Sequence, residues 1–297
     1  MRFTALIGLV SLTSLLGCDL VKKLTGSEAA PSALAAAPTA PLATAAAAGA
    51  VKTVAFERRV PKAGVKASVS RKTSSKFTMK GQTFRETSVS VSEFEVKESD
   101  EFRVTKASVE VKELYTTSQQ GTGSEKKSVS PLEGSSYIVT RSDDGKLSAL
   151  NSEGNKVDAA TLKLIKDEFG NAFEKNQDAA FLPDRPLNLE EKLMPASDSM
   201  LSALGIKDDG NTMIDGTEFI LKSSDPKANF VVSLTMTQKI AAANMRVRSK
   251  LKGNIEMLPA GAWITDVSLK GPLTILDGSG NEQGSGELSF SGSQTFH

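Results

Sequence analysis

From residue 52 onward, apolar and polar side chains alternate with a period of two over long stretches. "VKASVSRKTSSKFTMK" (65–80), "QTFRETSVSVSEFEVKE" (82–98) and "EFRVTKASVEVKELYTT" (101–117) each put one set of side chains on a buried face and the other in water, as antiparallel strands do. In the last two the apolar phase jumps. Val89 and Val91 are followed by Phe94 and Val96, and Phe102 and Val104 by Ala107 and Val109. Folding these segments about Glu98-Ser99-Asp100 sets Phe94 opposite Val104, Val96 opposite Phe102, Val91 opposite Ala107 and Val89 opposite Val109. The two breaks then coincide. The pattern predicts a long hairpin whose buried face changes side halfway, with a bend or paired bulges at the change.

Asp144-Gly145, between short alternating runs at 137–141 and 146–150, predicts a second hairpin, and 152–155 a further turn. The period then changes. Asp158 is placed as an N-cap. In "AATLKLIKDEFGNAFEK", Leu162, Ile165, Phe169, Ala172 and Phe173 form one helical stripe, weakened by up to about 1 kcal/mol at Gly170. "LPDRP" (182–186) is an extended connector. A second, shorter helical segment is expected over 187–204, interrupted at Pro195 and stopped at Gly205. From Gly216 the period of two returns, with strands near 217–222, 229–240, 244–257, 263–276 and 283–296, and turns at 223–226 and 277–284. The expected fold class is mainly β (α+β), with two antiparallel sheets bracketing a short helical middle segment. Residues 52–157 form the N-terminal β lobe, 158–210 the helical middle and 211–297 the C-terminal β lobe.

The N-terminus is different in kind. Arg2 precedes an apolar run at 3–16, shorter than the roughly 20 residues of a spanning helix and suited to the h-region of a signal peptide. It ends at "LLGC", which contains Cys18, the only cysteine of the chain. Leu15-Leu16-Gly17-Cys18 resembles the lipobox of bacterial lipoproteins processed by signal peptidase II. The resemblance covers about twenty residues and leaves the globular body unassigned. It implies removal of residues 1–17, cleavage between Gly17 and Cys18, and a diacylglycerol and an N-acyl group on Cys18, so that palmitate would label the chain. It further implies a membrane anchor in the bacterial cell envelope, facing the periplasm or the exterior. Asp19 resembles the inner-membrane retention signal of enterobacterial lipoproteins, and inner versus outer membrane stays open. The other reading is an ordinary secretory signal with a chance cysteine. Residues 18–51 form an alanine-rich tether broken by Pro31, Pro38 and Pro41, with too little bulk to offset its ordering entropy.

Charge and composition narrow the function by exclusion. The 36 basic and 35 acidic residues nearly cancel, so the totals argue for no nucleic acid and no other polyanion. One cysteine excludes an internal disulfide and a cysteine-based zinc site. The one histidine, His297, is the last residue, which excludes HExxH and a Ser-His-Asp triad. No catalytic residue, metal site or cofactor beyond the Cys18 lipid is expected, and the chain is not expected to be an enzyme.

Weaker candidates each have a plainer reading. Asp277, Ser279, Asn281 and Glu282 could offer calcium oxygens or form a glycine-rich hairpin loop, and the loop is favoured. Asp208, Asp209, Asn211 and Asp215 form an acidic turn. Ser249/Lys252 and Ser224/Lys227 match S-x-x-K but lack its companion motifs. Glu190 and Glu191 are adjacent and do not face each other on a helix. Trp263 is read as sheet packing, with ligand contact as the alternative. A carboxylate hydrolase would need two facing buried carboxylates in one cleft.

The expected function is a lipid-anchored, non-enzymatic binding or structural module with no identified ligand-binding residue. Its expected partner is the membrane, through the anchor, with any protein partner or hydrophobic ligand unidentified. The alternative is a carrier of a lipid or acyl chain in an apolar cavity between curved sheet and helices, lined by Phe169 and Phe173.

Overall fold

A computed structural model describes residues 53–174, 181–203, 211–240 and 243–297. The signal segment with Gly17 and Cys18, the tether, Asp208, Asp209 and Gly205 lie outside these residues. The fold is mainly β, with two antiparallel sheets and a short helix near the middle of the chain. In chain order come β1 (Thr53–Val54), β2 (Lys66–Met79), β3 (Gln82–Ser99), β4 (Val104–Gln120), β5 (Lys126–Val129), β6 (Ser136–Arg141) and β7 (Leu147–Asn151). Helix α1 (Ala159–Phe169), β8 (Leu187–Asn188), β9 (Lys192–Leu193) and α2 (Ser197–Ala203) follow. The chain closes with β10 (Thr212–Ser223), β11 (Ala228–Ile240), β12 (Met245–Leu258), β13 (Trp263–Asp277) and β14 (Glu282–Phe296).

The larger sheet has 12 strands in the order β7-β6-β4-β3-β2-β14-β13-β12-β11-β10-β9, with β5 on β4. The strands before and after the helical middle meet where β2 pairs with β14 along their whole length, from Met79 opposite Gly284 to Ala67 opposite Phe296. The smaller sheet is the pair β1-β8.

One face of the large sheet is buried from end to end. Along β2 the inward side chains are Ala67, Val69, Arg71, Thr73, Ser75, Phe77 and Met79, and along β3 Phe84, Glu86, Ser88, Ser90, Ser92, Phe94 and Val96. The ends of these two runs are apolar and the middle is polar. Two separate apolar clusters result. One gathers Ala67, Val69, Phe94, Val109 and Val139 under α1. The other gathers Phe77, Phe84 and the inner positions of β10 to β14. Between them lie the cross-strand pairs Arg71–Ser90, Thr73–Ser88 and Ser75–Glu86. Glu168 from α1 reaches this belt, accepting a 2.8 Å hydrogen bond from Ser90 Oγ and lying 3.8 Å from the Arg71 guanidinium.

The belt explains the first departure from the sequence pattern. The inward face of β3 does not change side. Its middle is Glu86, Ser88 and Ser90, while Val89 and Val91 point outward. The register differs too, with Phe94 opposite Val109, Val96 opposite Ala107, Val91 opposite Glu113 and Val89 opposite Tyr115. Irregularities fall between Val91 and Ser92 and between Val96 and Ser99. The hairpin turns at 100–103, where Asp100 Oδ1 accepts from the Phe102 and Arg103 amides at 2.7 and 2.8 Å. Phe102, expected in the hairpin core, is half exposed at this turn.

Asp158 caps α1 as expected, accepting from the Thr161 amide at 2.7 Å. Ile165 and Phe169 are buried, and the chain tightens to a 3-10 turn over Gly170–Phe173. The second helical segment expected over 187–204 is shorter, only α2. Leu187–Asn188 pairs with β1, and Lys192–Leu193 pairs with β10. Glu190 between them has φ 64°, a left-handed conformation that no α-helix accepts.

The C-terminal strands curl tightly over their own core. At Gly253 a Cβ would run into the Ser268 carbonyl oxygen, and at Gly271 into that of Lys250, so β12 and β13 approach there closer than any side chain permits. The open side is covered by the chain around β1 and β8 and by Met200 of α2. Arg58 donates to the Leu182 carbonyl at 2.7 Å, Trp263 Nε1 to that of Arg59 at 2.8 Å, and the Glu57 amide to that of Pro259 at 2.9 Å.

Candidate functional site: a polar groove on the outer sheet face

Inner positions on β11 to β14 are mostly apolar, so the alternate positions face out and carry mostly polar side chains. Two adjacent rungs of the ladder run across five strands. One is Asn229–Glu256–Asp266–Ser293–Ser70, and the next is Val231–Asn254–Ser268–Ser291–Lys72. Short serine and asparagine side chains on these rungs leave a groove of about 380 Å³, lined by Ser70, Asn229, Asn254, Glu256, Asp266, Ser268, Ser291 and Ser293. Phe230, Ile255 and Val267, buried in the core beneath, hold its floor.

Glu256 and Asp266 stand directly opposite each other on neighbouring strands. Two carboxylates so placed repel. Lys227 offsets this, with Nζ donating to Asp266 Oδ2 at 2.7 Å and Glu256 Oε2 at 3.1 Å. The hydrogen bond Lys227 donates to Asp266 is the largest influence raising the Lys227 pKa above its ordinary value, against partial desolvation. The ammonium therefore stays charged. The groove thus has fixed carboxylates at one end and hydroxyl and amide groups along its floor, all able to exchange hydrogen bonds with a polar ligand. These two carboxylates face each other as a hydrolase pair would. However, they are 37% and 44% exposed and share one ammonium, unlike the two buried carboxylates in one cleft that such chemistry requires.

The other sequence candidates fall elsewhere. Ser249 points into the core while Lys252 points to solvent, so this S-x-x-K pair is split across the sheet. In the second pair, Lys227 is occupied by Glu256 and Asp266. Asp277 is saturated within its loop by the Ser279 and Asn281 amides, Asn281 Nδ2 and Gln283 Nε2. Led by the Asn281 amide, these donors hold the carboxyl below its usual range. Asp215 is an exposed strand residue. Glu190 pairs with Lys222 and Glu191 with Arg185. Trp263 packs against Phe296, ring centroids 4.8 Å apart. Among the described residues no group of three or more His, Cys, Asp or Glu side chains is placed to hold a metal ion. No helix among them is long and apolar enough to cross a membrane.

Sequence reasoning did not find the groove. Its residues are common serines and asparagines from segments over 200 positions apart, and only the β2–β14 pairing brings Ser70 beside Ser293.

No protein-family model matches the chain, and no curated protein matches it. Among solved structures it is similar to lipovitellin, in a study of lipid–protein interactions, at TM-score 0.38 and 9% identity over 80% of this chain. It spans only 26% of that lipovitellin chain. It is also similar to DynF from the dynemicin biosynthesis pathway of Micromonospora chersina, at TM-score 0.23 and 11% identity over 87% of this chain and 92% of that one. For the β domain of the Bordetella autotransporter BrkA the TM-score is 0.18, with 10% identity over 76% of this chain and 98% of that one. At these TM-scores the likenesses assign neither a family nor a function to this chain.

Proposed function

We propose that the chain is a lipid-anchored envelope lipoprotein that acts as a non-enzymatic binding module, presenting the outer groove to a polar ligand. The groove itself carries this reading. It is a concavity over a packed floor, with hydroxyl and amide groups converging from five strands and two carboxylates fixed by Lys227. Its lining includes no histidine or cysteine. The lipobox at Cys18 supports the anchor, and the proline-broken segment after it supports a tether between lipid and body. Two or three acyl chains would make attachment effectively permanent without a membrane-spanning helix.

The lipid-carrier alternative requires space between sheet and helix. Phe169 and Phe173, expected to line it, are 2% and 0% exposed, with Phe169 edge-on to Phe94 at 5.6 Å.

Two measurements test the proposal. Labelled palmitate should enter the wild type and not Cys18→Ser; equal labelling, or none in the wild type, would overturn the anchor. Native mass spectrometry of the protein from its own envelope should retain a polar ligand or protein that Ser268→Trp/Ser291→Trp, filling the groove, releases. Retention of an acyl lipid by both forms would instead favour the carrier.

A further inference from the structure

The outer face of β12 carries four cations in succession. Arg246, Arg248, Lys250 and Lys252 alternate with the buried Val247, Ser249 and Leu251, and all four are exposed. At about 3.4 Å per residue they form a stripe roughly 20 Å long. Their outward neighbours are Lys239, Thr237, Thr235 and Ser233 on β11, and Leu276, Thr274 and Lys270 on β13. No carboxylate stands opposite any of the four. Lys227 and Lys270 have acidic partners, whereas among the described residues no ion pair engages Arg246, Arg248, Lys250 or Lys252.

Folding does not account for the stripe. Like charges two residues apart on one strand face repel, and the adjacent strand meets the same environment with Ser233, Thr235 and Thr237. Charged residues commonly protect sheet edges from stray pairing, but β12 is interior, hydrogen-bonded to both β11 and β13. Nor does net charge reveal it, because the chain as a whole carries only +1.

We propose that this stripe is a docking surface for anionic phospholipid, laying the Arg246–Lys252 end of the outer face of β12 against the membrane that anchors the chain and leaving the groove at Asn254 and Glu256 beyond the contact. The choice of occupant rests on the anchor reading above. A coil of 34 residues, the length of the tether read at 18–51, would have a root-mean-square reach of roughly 30–35 Å, which would keep the body at high effective concentration beside the lipid phosphates. Each basic side chain near an anionic leaflet multiplies partitioning by roughly five-fold. An apolar side chain farther along the same rung fits an interface as well: Met213, opposite Thr237 and two strands from Arg248, is 48% exposed. A site for single-stranded nucleic acid would be expected to place aromatic rings among its cations. The positions flanking this stripe are threonine, serine, lysine and leucine.

The test uses residues 18–297 with Cys18→Ser, which cannot be acylated and keeps every described residue. It should sediment with phosphatidylcholine vesicles containing about a third phosphatidylglycerol, and not with pure phosphatidylcholine; binding should fall steeply from about 50 to about 500 mM salt. Arg248→Ser/Lys250→Ser, both exposed, should lose roughly 25-fold in partitioning with an unchanged melting temperature. Equal partitioning of this variant, or no preference for anionic vesicles, overturns the proposal. So does binding of an oligodeoxynucleotide without vesicle binding, which would make the stripe a nucleic-acid surface. Because the chain tested carries no lipid, this result is independent of the palmitate experiment at Cys18.

Discussion

The two apolar compartments of the inner face are closed by different means. Under the N-terminal strands an amphipathic helix lies on the sheet, with Phe169 and Phe173 filling the space above Phe94 and Val109. Under the C-terminal strands the described residues supply only the short α2. The sheet curls at Gly253 and Gly271, and β1, β8, the 181–187 connector and α2 cover what remains. A helix covers a sheet with one regular stripe, visible in sequence. Curling needs close backbone approach at a few points and scattered apolar pieces from distant segments, which leave little local signal.

The comparison can be broken most severely at the curl. Gly271→Val should prevent the C-terminal compartment from closing, because its side chain meets the Lys250 backbone and not a movable side chain. The cost should exceed the roughly 4–5 kcal/mol that marks exceptional single substitutions, read as failure to fold or as loss of the cooperative urea transition. Gly170→Ala is the matching control beside the helix. Its Cβ would meet only Leu147 Cδ1 at 3.7 Å, in right-handed helical backbone, so it should be neutral or stabilising by up to about 1 kcal/mol. If Gly271→Val folds normally, close strand approach does not set the curl.

The same contrast governs how much could be inferred from the residues alone. The C-terminal strands alternate over most of their length because their inner face is mostly apolar, so the expected 263–276 and 229–240 differ from β13 and β11 by one residue. The α1 cap and stripe were equally plain. The β3–β4 register was misread because the inner face there is polar in its middle. An apolar pattern carries no register information where the buried residues are Glu86, Ser88 and Ser90. The β2–β14 pairing joins segments some 200 residues apart, and no local period encodes it. The groove and the cationic stripe depend on that pairing or on knowing which face of β12 is wet.

A milder perturbation asks whether the polar belt truly separates the compartments. Phe169→Ala and Phe230→Ala should each cost about 3–5 kcal/mol, since both rings are fully buried. Phe230 also holds the covering segments, with Phe56 and Phe181 at 5.8 and 6.0 Å, and packs on Phe219 of β10 at 6.1 Å. Its loss should therefore also expose residues 53–60 to protease, which Phe169→Ala should not do. The two rings share no cluster, so the double variant should be additive within about 0.5 kcal/mol in urea denaturation. A coupling well above that would mean that the belt of Arg71, Thr73, Ser75, Glu86, Ser88 and Ser90 transmits strain between the compartments.

The smallest effect is expected from acid, and it too falls on the C-terminal cover. Glu191 pairs with Arg185 and accepts from the Asn188 amide at 2.9 Å, tying together the chain that carries β8. The Arg185 guanidinium first, and the Asn188 amide second, hold the Glu191 carboxyl down to about 2, against an ordinary 4.5. The folded state therefore binds this proton less readily than the unfolded chain. The stabilisation is fully present above about pH 4.5 and disappears as pH falls toward 2. Melting temperature should decline across that window, and Glu191→Gln should flatten the decline while leaving values near neutral pH slightly lower. Asp158, held below its usual range chiefly by the Thr161 amide, should show the same sign at the helix-covered compartment. Asp158→Asn, which keeps a capping oxygen, should remove that part of the acid sensitivity without uncapping α1. If Glu191→Gln leaves the acid limb unchanged, the cover over the curled compartment does not depend on this ion pair, and its apolar contacts through Val54 and Leu187 and its hydrogen bonds to backbone carbonyls hold it in place.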